Sequence, residues 1–132
     1  MNFRLVCVLG FVVTAVFGFG FLLLPELVSS LYGISGWNQG TTVIARLYGG
    51  GLLFVASATF AVKGTLDPAI QRSFSFSFAV VSFICAGLSL QSVTSGSTNA
   101  FMWSAVAIFA SFVVMWFLAA RGARGSSRAA AA

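Results

Sequence analysis

Arg46 is the residue whose type and position first suggest chemistry. It lies inside a long apolar stretch, where an arginine at the centre of a spanning helix costs about 2.5 to 3.5 kcal/mol. Glu26 closes the preceding apolar stretch, and Tyr48 follows two residues after Arg46. Arg46, Glu26 and Tyr48 therefore form the candidate polar site. A Glu26 to Arg46 pair would join two helices and line a polar pocket suited to an anionic ligand or a lipid headgroup. The alternative is that the arginine's long stem snorkels to the interface. Its position about five residues into its span, roughly 7 to 8 Å below the boundary, fits either arrangement.

The remaining reactive types argue against catalysis. Histidine is absent, which removes the commonest general base and metal ligand. Cys7 and Cys85 fall at different expected depths and form no CxxC, so they read as small buried hydrophobes. Lys63 and Asp67, beside Arg72, read as a solvated loop cluster. No catalytic residue, cofactor or metal is expected, and the chain reads as a non-enzyme.

The elements that must position Arg46 follow from composition. With 59% hydrophobic and 7% charged residues in a chain of 132, too little polar surface exists to cover a water-soluble domain. Crossing a hydrocarbon core of about 30 Å takes roughly 20 helical residues. Four windows of that size occur, at about residues 5–24, 41–62, 73–90 and 100–120, followed by a short basic tail, 121–132, expected to fray. The expected architecture is an all-α, four-transmembrane-helix bundle forming one domain. Ser73 to Phe78 alternates serine and phenylalanine with the period of a strand, but an open strand in lipid leaves backbone groups unsatisfied. Arg4 followed by an apolar run resembles the start of a signal peptide. The run is longer than a typical h-region, however, and Pro25, Glu26 and Leu27 stand where a small-residue cleavage site would, so the first span is expected to be retained.

Charge orients the bundle. Arg4, Lys63, Arg72, Arg121, Arg124 and Arg128 flank the spans on one side, which the positive-inside rule makes cytoplasmic, with both termini. A plasma (inner) membrane location follows as the expectation. Trp37 and Trp103 are the expected anchors at the outer interface, Trp116 at the inner one. The net charge of +5 is absorbed by topology, so no nucleic-acid partner is expected.

Helices in lipid associate by close packing of small residues. Gly10, Thr14 and Gly18 form one such stripe, and Ala45 with Gly49, Ser82 with Ala86, and Ala107 with Ser111 form three more. The triplet Gly49, Gly50 and Gly51 reads as a packing surface, with a helix break of the kind found in transporters as the alternative. The outer loop, PELVSSLYGISGWNQG, has Pro25 suited to the first turn of a short interfacial helix and Gly33 suited to its end.

A first span ending in proline, a following Leu-Tyr-Gly, the ARLYGG of Ala45 to Gly50 and a basic middle loop are together broadly similar to DoxX-like membrane proteins, small four-span proteins of bacteria. The resemblance implies the four-helix bundle and transfers no activity. Two functional classes are expected. One is a non-catalytic accessory or scaffold subunit that packs against membrane lipids and protein partners or a second copy. The other is a small oligomeric transporter or ligand-binding bundle using Arg46 and Glu26.

Overall fold

The computed structural model describes the backbone of residues 2–129 and the side chains of residues 2–123. Five helices follow one another: α1 (Phe3–Leu23), α2 (Pro25–Leu31), α3 (Gln39–Val62), α4 (Pro68–Thr94) and α5 (Met102–Ala129), with no strand among the described residues. All but α2 are long and apolar enough to cross a membrane. The chain is thus an all-helical, multi-pass membrane protein in which α2 is the short helix between the first two spans.

Capping chemistry sets the boundaries and shifts some from their expected places. Asp67 accepts a hydrogen bond from the Ala69 amide at 2.8 Å, and Pro68 occupies the first turn. The third span therefore begins at Pro68 rather than near residue 73, and Asp67 is an N-cap rather than a partner of Lys63. The Lys63 ammonium lies over the Phe60 ring, 2.8 Å from its centroid. At the other end α4 runs past the expected residue 90 to Thr94, where the hydroxyls of Ser92 and Thr94 bond back to the carbonyls of Leu88 and Leu90. Asn38 and Thr41 form a reciprocal capping box that starts α3 at Gln39. Helix α5 continues to Ala129, so the segment from Arg121 to that point extends the helix instead of fraying at its start.

Two hairpins result. Helix α1 packs closely along α3, and α4 along α5, while the hairpins meet mainly through α1 and α5. Among the described residues, α3 and α4 do not pack closely. Inward positions recur in alternating steps of four and three: Ala45, Gly49, Leu52, Ala56 and Thr59 on α3, and Ser75, Ala79, Ser82, Ala86 and Ser89 on α4. That seven-residue repeat is the pattern of left-handed helix packing. Small side chains on α4 face larger ones on α5, including Ile108, Phe112 and Met115.

At the α1–α3 crossing the backbones touch. A Cβ added at Gly49 would lie 2.7 Å from the Leu22 amide nitrogen and 2.8 Å from the Gly18 carbonyl oxygen, and one added at Gly18 would lie 3.1 Å from the Gly49 carbonyl oxygen. Helix α3 passes unbroken through Gly49, Gly50 and Gly51, so the triplet does not break the span.

The bundle's aromatic core sits at the end carrying Phe3. Trp116 is 1% exposed and meets the rings of Phe3, Phe74 and Phe78 at centroid distances of 6.4, 5.8 and 5.1 Å. Its indole fills space left by Gly10, where an added Cβ would lie 3.3 Å from Cζ2. Trp116 is therefore a core residue, not an interface anchor, because α5 turns it toward α1 and α4. The serine–phenylalanine alternation is absorbed on a helix, where Phe74 and Phe78 stack at 4.4 Å and Ser75 is buried. Ala107 and Ser111 face outward. The α4-facing side of α5 instead carries Ile108, Phe112 and Ala119, so the expected small stripe does not hold this pair together.

Gly49→Ala is expected to destabilise the bundle by about 1 to 3 kcal/mol, since backbone atoms on the opposing helix cannot yield to the methyl group. Gly50→Ala, where nothing lies within 4 Å of the new Cβ, should be neutral or slightly stabilising. Thermal unfolding of the two variants in the same detergent checks the contrast.

Candidate functional site

The hairpins are in contact around Trp116 and, at the opposite end, the outer end of the sequence-based topology, through Asn99 and the Tyr32–Phe101 ring pair. A cavity of about 450 Å³ occupies the space between them. Helix α1 contributes Val13, Thr14, Phe17 and Phe21, and α3 contributes Thr41, Ile44, Ala45, Tyr48 and Leu52. Helix α5 supplies Met102, Ala105, Ile108, Phe109 and Phe112, and α4 supplies Ser89. Ser29, Tyr32, Ile34 and Trp37 roof it from α2 and the following loop.

The roof is held by glycine and asparagine. After α2 the chain turns at Gly33, φ +76°, and again at Gly36, φ +82°, backbone conformations that L side chains rarely adopt. Gly33 also lies against Asn99, whose Cβ and amide nitrogen would be 3.0 Å from an added Cβ. Asn99 sits in the α4–α5 turn. Its side chain donates to the Leu31 carbonyl at 2.9 Å and accepts from the Phe101 amide at 3.0 Å, while its backbone amide donates to the Tyr32 carbonyl at 3.0 Å. One residue thereby ties the turn of the second hairpin to the loop that joins the helices of the first. In sequence, Asn99 lies between the third and fourth apolar windows among serines and threonines, with no local signal of a bond across 68 positions.

The lining is overwhelmingly apolar, and none of its side chains is charged. The Thr14 hydroxyl is spent on the Gly10 carbonyl at 2.7 Å, and that of Thr41 on the Asn38 carbonyl at 2.8 Å. Burial pushes the Tyr32 hydroxyl above its ordinary range, while its hydrogen bond with Ser104 draws it down. The indole N–H of Trp37 is buried without a hydrogen-bond partner among the described residues, an uncommon condition for a buried donor.

The candidate polar site of the sequence does not assemble. Arg46 and Glu26 are both exposed and, among the described residues, form no ion pair. Helical phase explains the arginine: at about 100° per residue, the lining residues Ile44, Ala45, Tyr48 and Leu52 fall on one side of α3 and Arg46 on the other. Glu26 stands in the first turn of α2, where the helix end itself favours a carboxylate. Tyr48 alone of the three reaches the cavity, its ring meeting Phe21 edge-on at 5.1 Å. Thr14 and Ala45, read as packing residues, also line it. Trp37 is half-buried in the roof, and Trp103 is exposed. Cys7 is buried in the aromatic core and Cys85 is half-buried on α4.

Compared with known protein families, curated proteins and solved structures, the chain matches none.

Asn99→Ala removes two of the three hydrogen bonds at the roof, each of a kind that contributes about 1 kcal/mol. Hydrogen exchange is expected to accelerate in residues 31–38 and stay unchanged along α1, as read by mass spectrometry of the purified protein.

Proposed function

We propose that this protein is a non-catalytic membrane binding protein that holds a largely apolar, lipid-derived molecule between its two hairpins. The observation that carries the reading is the cavity. Its volume of about 450 Å³ falls within the roughly 300–1,000 Å³ of ligand pockets, which are concave and mostly apolar with a few polar groups. The side chains that would do the binding are those of α1, α3 and α5, with Tyr48 the one member of the sequence-based polar site among them. Arg46 and Glu26 take no part.

Filling the cavity tests this. In nanodiscs, the uncharged hydrophobic dye N-phenyl-1-naphthylamine is expected to bind saturably, one per chain, and to accept energy from Trp37. Ala105→Phe should weaken that binding at least tenfold without lowering the melting temperature. Equal binding by both proteins would sink the proposal.

A second reading, an accessory subunit that packs against other chains, draws on the outward faces: Gly50, Gly51 and Gly87 have open space over them, and Ala107 and Ser111 point away from the bundle. Mild-detergent extraction of the same protein would favour it if other chains co-purify in fixed ratio.

For orientation, we infer a plasma-membrane protein with both termini cytoplasmic. Arg4, Lys63, Arg72 and Arg121 lie toward one end of the bundle and the cavity roof toward the other. In a variant with Cys7 and Cys85 replaced by alanine, Ser97→Cys should react with an impermeant maleimide on intact cells and Thr65→Cys should not. The reverse pattern would invert the topology.

A further inference from the structure

The cavity is not uniform along its length. Most of its polar groups gather under the roof, where Ser29 and Tyr32 come from α2 and its C-cap, Trp37 from the loop and Thr41 from the first turn of α3. Ser89 joins them from α4, five residues before that helix ends at Thr94. Tyr48 lies two turns further along α3, and the Thr14 hydroxyl, deeper on α1, is taken up by the Gly10 carbonyl. The deep end, by contrast, is closed by hydrocarbon and aromatic rings. Val13, Ile108 and Phe112 line it, and all three also pack in or against the core around Trp116.

We infer that the cavity takes a single-chain amphipath with an uncharged, hydrogen-bonding head, the head under the α2–α3 loop and the chain directed toward Trp116. This deepens the binding reading above and rests on it. Three observations fix the class. First, no lining side chain is charged, so an ionised head would be desolvated with nothing opposite it, a large penalty in an apolar site. Second, the buried indole N–H of Trp37 has no acceptor among the described residues, and an ester, ether or hydroxyl oxygen of the head supplies one. Third, the polar-to-apolar order along the cavity matches the order of head and chain in a lipid of the outer leaflet. The volume, about 450 Å³, suits one chain with a small head at the lower part of the usual range for ligand sites.

The test uses the full chain in phosphatidylcholine nanodiscs, because common detergents are themselves uncharged single-chain amphipaths. A monoacylglycerol with a photoreactive diazirine near the chain terminus is the probe, and labelled residues are mapped by mass spectrometry. Labelling is expected at the deep end, around Ile108 and Phe112, and should be displaced by unlabelled monoacylglycerol at least tenfold more effectively than by the ionised fatty acid or the alkyl trimethylammonium of equal chain length. Trp37→Phe should weaken displacement of the probe by unlabelled monoacylglycerol about three- to tenfold without lowering the melting temperature; undiminished displacement overturns the role of the indole N–H. Equal displacement by the charged competitors overturns the uncharged-head assignment while the cavity stands as a binding site. Labelling under the roof instead of at the deep end overturns the orientation. Absence of cavity labelling, together with absence of naphthylamine binding, overturns the binding reading as well.

Discussion

The indole of Trp116 occupies the space that a side chain at position 10 would take, and the separation of the two hairpins follows from that fit. Inside lipid, apolar burial supplies no drive for one helix to seek another, so contact depends on shape. Gly10 offers a hollow on α1 and Trp116 offers a matching projection from α5. Around them Phe3, Phe74 and Phe78 complete a plug of rings. Such bulk holds the hairpins in register at one end without drawing their other ends together, and the cavity is the space that remains.

Within each hairpin the logic is the opposite. Gly18 and Gly49 let two backbones approach until carbonyl and amide groups are the nearest neighbours, and the buried serines and alanines of α4 let α5 lie close along it. Tight hairpins joined by a bulky plug produce a bundle that is dense along two seams and open between them. The Asn99 hydrogen bonds then close the open end from above.

Much of this was legible in the sequence, and the failures have identifiable causes. Apolar windows of about 20 residues, charge-free except for Arg46, located all four spans because lipid imposes a length on a helix. Pro25 and Gly33 marked the ends of α2, since each residue has a backbone preference that the short helix uses. Small-residue spacing found Gly18 and Gly49, but it also selected Ala107 and Ser111, because in a membrane both the lipid-facing and the protein-facing sides of a helix are apolar and periodicity cannot tell them apart. Trp116 was misplaced for the same reason. Arg46 drew the candidate polar site to α3, on the side away from the cavity: a charge is conspicuous in sequence, whereas a cavity lined by Phe17, Ile44 and Ile108 carries no residue type to announce it. The Asn99 tie to Leu31 is a tertiary contact with no local pattern at all.

The division into hairpins also bears on how the chain is made. Nearly all close packing lies within residues 3–62 or within residues 68–129, so each half contains its own partners. The first hairpin can zip along Gly18 and Gly49 while the second is still being synthesised. The second can pair through Ser75, Ser82 and Ser89 as soon as α5 emerges. Contacts near in sequence form quickly because little chain entropy is lost in closing them. The 68-residue link from Asn99 to Leu31 must wait for both. Such a contact pattern lets two halves form separately and join last, at a ring plug and an asparagine.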